Sequence, residues 1–94
     1  FAHVDPEKMI RIMPDLIVEV LSPGTDEHDL FTKRNLYEQL GVPHYWIADA
    51  QAKSIREYVL QKDQRYVEHV FSEDQPFEPA LFPGMKLDLR RLFA

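Results

Sequence analysis

The chain has 94 residues, enough for a single domain with one core, and no apolar run in it approaches the ~20 residues that span a bilayer. It contains no cysteine, which excludes disulfides, thiolate zinc sites and cysteine nucleophiles, and it shows no secretory signal, so a cytoplasmic setting is expected. Sixteen acidic against eleven basic residues give a net charge of -5, which opposes tight non-specific binding to a phosphate backbone; a nucleic-acid role must rest on a local patch or a metal.

Phe1 to Met13 has no clear period and reads as a loop leading into a strand. Leu16 to Leu21 is dense in Val, Ile and Leu, the composition of a strand covered on both faces, and is closed by Ser22-Pro23-Gly24. Glu19 stands in this run where an apolar residue would be expected. Burying an unpaired carboxylate costs several kcal/mol, so Glu19 requires a partner or a metal.

Thr25 and Asp26 are good N-caps, Glu27 and Asp29 suit the positive end of a helix dipole, and Gly41 followed by Pro43 suits a helix stop. A helix from about Asp26 to Leu40 is therefore predicted. At 100° per residue Leu30, Lys33, Leu36, Tyr37 and Leu40 share an arc of roughly 120°, with Lys33 near its middle and Arg34, Asn35 and Glu38 outside it, facing solvent. Two destinations are open to the Lys33 ammonium. It can snorkel or pair with Asp29 one turn earlier, or it can reach Glu19.

His44 to Ala48 predicts a second buried strand, parallel to the first across a right-handed crossover, with Tyr45 and Trp46 as core aromatics. Asp49 opens a polar turn and is expected to cap it. Ser54 to Leu60 and Arg65 to Phe71 alternate around Lys62-Asp63-Gln64 as an antiparallel hairpin. Ser72 to Pro79 reads as a polar loop, and Leu89 to Phe93 as a terminal helical turn. His3, His28, His44 and His69 lack metal-ligand spacing. Lys86, Arg90 and Arg91 form a small basic cluster that reads as solvated surface.

Asp15, Glu19 and Lys33 are the one set of two acids and a lysine whose spacing converges. Two carboxylates and a lysine beside a divalent cation can hydrolyse a phosphodiester: the metal binds phosphate and polarises a water, and the lysine orients that water or stabilises developing charge. Asp15 and Glu19 share a strand face, yet four strand residues span about 13 Å at ~3.3 Å each, whereas Mg²⁺ lies ~2 Å from its ligand oxygens. Both acids can be direct ligands only if the strand is distorted. Otherwise Asp15 satisfies backbone donors at the strand entry.

Pro14-Asp15-Leu-Ile-Val-Glu19-Val-Leu-Ser22-Pro23, followed by Asp29-xxx-Lys33-xxx-Tyr37-xxx-Gly41-Val42-Pro43-His-Tyr45-Trp46-Ile47-Ala-Asp49, resembles the signature of the Uma family. The likeness continues more loosely through the hairpin and Phe82-Pro83-Gly84-Met85-Lys86-Leu87-Asp88-Leu89. These bacterial proteins were long filed as a domain of unknown function. They are regarded as endonucleases of the restriction-endonuclease-like PD-(D/E)XK superfamily.

The resemblance implies an α/β (α+β) fold, a mixed sheet with a flanking helix, and a Mg²⁺-dependent site acting on DNA. By position, Glu19 matches the glutamate of the (D/E)XK element, Leu21 stands where its lysine would, and Lys33 resembles a migrated lysine supplied from the helix. Asp15 and Glu19 are the candidate metal ligands. The superfamily's leading aspartate is expected upstream of Phe1, so residues 1–94 read as a single domain forming the C-terminal part of the family domain. The alternative is a non-catalytic, degenerate relative that keeps Glu19 and Lys33 as an ion pair and self-associates, as a dimer, through an exposed sheet edge.

Overall fold

The computed structural model describes residues 14–93. The reading of Phe1 to Met13 as a loop, and His3 with it, lies outside them. Five apolar-rich residues, Leu16–Val20, form β1; α1 spans Glu27–Leu40; His44–Asp49, Ser54–Leu60 and Tyr66–Phe71 form β2, β3 and β4; and Leu89–Leu92 is a single helical turn, α2. The four strands make one sheet in the order β1-β2-β3-β4. β1 runs parallel to β2, as the intervening helix requires, and β2, β3 and β4 form an antiparallel meander. The result is the mixed sheet with a flanking helix that the sequence predicts.

Local chemistry sets the ends of α1. The Asp26 side chain accepts a hydrogen bond from the His28 amide at 2.9 Å, satisfying one of the donors left free in the first turn. At the other end Gly41 adopts φ +80°, a left-handed conformation that costs glycine nothing, and its amide donates to the Glu38 carbonyl. Only Val42 and Pro43 then separate Gly41 from β2. These two short connections fix where α1 lies over the sheet.

The sheet is covered on both sides. On one face α1 packs Leu30 and Tyr37 onto Tyr45, Ile47, Tyr58 and Tyr66, with Ile17, Leu21 and Leu60 at the margin. On the other, Ala48 and Ile55 meet Phe77 and Leu89, flanked by Trp46, Phe71, Leu87 and Phe93. Phe77 and Leu87 exchange backbone hydrogen bonds at 2.9 Å each way, and Phe77 is fully buried, edge-on to Trp46. The segment read as a polar loop, Ser72 to Pro79, therefore carries a core residue. Its polar neighbours hid a single large apolar side chain.

Two further expectations are corrected. β1 is covered by α1 on one face, whereas Val18 and Val20 on the other are 47% and 68% exposed. The face α1 turns to the sheet is displaced from the one its apolar residues define, toward the hairpin. Leu36 and Leu40 are each 48% exposed, while Arg34 and Glu38, expected in solvent, face the sheet. The cause is polar satisfaction. The Arg34 guanidinium lies 5.2 Å above the Tyr58 ring, and Glu38 accepts the Tyr66 amide at 2.8 Å.

Candidate active site

Pairing of Glu19 with Ile47, and of Ile17 with Tyr45, turns the Glu19 side chain toward α1. Lys33 lies on the rim of the helix surface that meets β1. Its Nζ donates to Glu19 Oε1 at 2.5 Å, so the second of the two destinations open to Lys33 is the one it takes. The pair is half-buried, with the lysine side chain 44% and the glutamate side chain 28% exposed. The hydrogen bond and charge of Glu19 hold the Lys33 ammonium above its ordinary value of 10.5. Lys33 is thus a full positive charge at any physiological pH.

Asp15 precedes β1 by one residue and is exposed. The register of β1 against β2 is regular from Leu16 to Val20, so no bulge folds Asp15 back toward Glu19, and the four-residue span of about 13 Å stands. Among the described residues no three His, Asp or Glu side chains gather where they could hold a metal. Among the described residues Glu19 is therefore the one carboxylate placed to act as a ligand here. It fits Mg²⁺ as a single ligand: it is accessible, no partner among the described residues occupies its Oε2, and Mg²⁺ commonly takes one or two carboxylates, with waters and phosphate completing its shell.

Other candidates resolve as structural groups. Asp49 Oδ1 accepts the Ala52 amide at 3.0 Å, capping its turn as expected. Lys86 faces Glu78 at 3.9 Å on the surface. A cleft of about 460 Å³ opens at the carboxyl ends of β1 and β2, but neither Glu19 nor Lys33 lines it, and Glu27 and Asp49 make it unfavourable for phosphate.

Behind the pair lies a layer of tyrosines that the sequence shows only as core. Tyr45 stacks on Tyr58 with ring centroids 5.5 Å apart, and Tyr37, one turn after Lys33 on α1, meets Tyr45 edge-on at 5.0 Å. Burial, and after it the charge of Glu19, push the Tyr45 phenol well above its ordinary range. The signal that could have revealed this proximity is the short Gly41-Val42-Pro43 connection, which sets the register of Tyr45 against β1.

The arrangement offers an accessible carboxylate to a cation and an adjacent ammonium to an anion, the complement needed by a metal-bound phosphate. Among solved structures the chain resembles a crystal structure from Anabaena variabilis ATCC 29413 described as "a putative nuclease belonging to DUF820", with a TM-score of 0.68, 23% sequence identity and 87% of the present chain covered. The match takes in 45% of that protein, so the chain spans about half the length of this relative. What the two share is the fold, a mixed sheet with flanking helix. No curated protein matches the chain. Residues 3–90 match the Uma2 family, described as "Putative restriction endonuclease", and the chain belongs to that family.

Proposed function

We propose that the chain carries part of the active site of a Mg²⁺-dependent endonuclease acting on DNA phosphodiesters, with Glu19 as metal ligand and Lys33 as the group that orients water or stabilises developing charge. The observation that supports this reading best is the accessible Glu19–Lys33 contact at 2.5 Å in an otherwise apolar strand and helix margin. Bound Mg²⁺ would polarise the scissile phosphate and lower the pKa of an attacking water. The protein's own part is positioning. Glu19 would hold the cation, and Lys33, beside Glu19, would present its ammonium to a phosphate bound there. A second carboxylate comes from outside residues 14–93, since Asp15 lies too far along the strand for direct ligation. The setting proposed for it is cytoplasmic.

The test is Mg²⁺-dependent cleavage of plasmid DNA by the wild-type protein, Glu19→Gln and Lys33→Met. Each variant should lose about 10²-fold or more in rate, the usual effect of removing one charge-stabilising group. Wild-type rates in both variants would overturn the assignment. A second reading, a non-catalytic module that pairs with a second copy along β1, draws on the exposure of Val18 and Val20 on the strand that ends the sheet among the described residues. It predicts a dimer by sedimentation and no cleavage in any form of the protein.

A further inference from the structure

Three tyrosines pack together under α1, Tyr45 and Tyr58 stacked and Tyr66 tilted against both, and two of their hydroxyls are used. Tyr58 donates to Glu68 at 2.5 Å and Tyr66 to the Val42 carbonyl at 2.8 Å. The third, Tyr45, is 0% exposed, and its hydroxyl has no hydrogen-bond partner among the described residues. Buried hydroxyls are almost always paired, so an unpaired one in a folded core calls for a reason. The other two unpaired buried side-chain atoms, His44 Nδ1 and Trp46 Nε1, belong to residues flanking Tyr45 on β2, whose side chains point to the opposite face of the sheet.

Tyr45 has a complementary neighbour. It pairs with Ile17, one same-face step before Glu19 on the adjacent strand. Lys33 uses only Oε1 of that carboxylate, and Oε2 has no hydrogen-bond partner among the described residues. An unpaired donor and an unpaired acceptor therefore share one face of two hydrogen-bonded strands. Their elements are braced from above by adjacent contacts one helical turn apart, Lys33 on Glu19 and Tyr37 on Tyr45. Glu19 is also the charge that acts most strongly on the Tyr45 phenol.

We propose that Tyr45 is a positioning residue for Glu19: when a cation draws the carboxylate away from Lys33, the Tyr45 hydroxyl donates to the oxygen the cation leaves free and fixes the ligand's orientation. Hydrogen bonds of this kind behind a metal ligand commonly set affinity by 10- to 100-fold. In the metal-free fold, with Oε1 held by Lys33, no hydrogen bond joins the Tyr45 hydroxyl to Glu19. This inference rests on the reading of Glu19 as a Mg²⁺ ligand.

The experiment is calorimetric titration of the intact protein with MgCl₂, alongside thermal melting, for wild type, Tyr45→Phe, Tyr66→Phe and Glu19→Gln. Tyr45→Phe should melt at or above the wild-type temperature, because it removes an unpaired polar atom, and should bind Mg²⁺ about tenfold more weakly. Tyr66→Phe should do the reverse, melting lower with unchanged Mg²⁺ affinity. If Glu19→Gln abolishes binding while Tyr45→Phe binds like wild type, the role of Tyr45 is overturned and that of Glu19 stands. Melting of Tyr45→Phe well below wild type would show a hydroxyl already bonded in the fold and would also overturn it. Absence of Mg²⁺ binding by the wild type, or unchanged binding by Glu19→Gln, overturns both.

Discussion

Glu38 offers the sharpest test of how α1 sits on the sheet. Its Oε2 accepts the Tyr66 amide at 2.8 Å, its side chain is 13% exposed, and Arg34 approaches it at 4.0 Å. Glu38→Ala removes a charged acceptor from a half-buried amide at the start of β4. Charge-assisted hydrogen bonds are worth ~1.5–3 kcal/mol, and the Arg34 pair one turn away adds ~0.3–0.5 kcal/mol. A loss of ~2–3 kcal/mol is expected. At ~4–8 °C per kcal/mol for a domain of this size, that lowers Tm by about 8–24 °C. Glu38→Gln keeps an acceptor without the charge and should lose about half as much. Thermal melting and urea titration with an unchanged m-value would establish the effect as one on the folded state. A Glu38→Ala protein within ~0.5 kcal/mol of wild type, as for an ordinary surface residue, would refute the rotated docking of the helix.

The tyrosine layer sets a limit at alkaline pH. Burial and then the hydrogen bond to Glu68 push Tyr58 from 10.0 up to about 12; burial and then the charge of Glu38 do the same for Tyr66. The unfolded chain ionises these phenols near 10, so the stability they confer is present below pH 10 and is lost as pH rises through 12. Tyrosinate absorbance and circular dichroism should change together in that window; phenols titrating near 10 in a chain that remains folded would contradict it. Phe77→Ala should cost ~3–5 kcal/mol in a denaturant titration, because the ring is 0% exposed and packs on both Trp46 and Phe71. A cost below ~1 kcal/mol would mean that residues 77–89 are not part of the core.

Much of this was legible before any coordinates. β1, α1, β2 and the hairpin are short-range consequences of β-branched density, a capping Asp26, a stopping Gly41 and strict alternation, and the structure returns them within a residue or two. Glu19 and Lys33 stood out because each broke an apolar pattern. The rotation of α1 was not legible, since periodicity assigns every charge to solvent, whereas Arg34 and Glu38 are stabilised by the faces of two tyrosines and one backbone amide. Those partners lie 24 to 32 residues away in sequence, and no local pattern reports them. Phe77 was missed for a related reason. A single ring among Glu73, Asp74, Gln75 and Pro76 has no period, and its burial depends on Trp46 and Phe71 across the sheet.

The tight joints at either end of α1 have a consequence for heredity. Both members of the Glu19–Lys33 pair, the helix that carries one, the strands that hold the other, and the caps that fix their mutual register all lie within 34 contiguous residues, Leu16–Asp49. Changes in the hairpin and the tail alter stability and, through Tyr58 and Tyr66, the seating of α1, but they change neither member of the pair nor the connections that join them. A lineage thus inherits both charges in one short stretch of sequence.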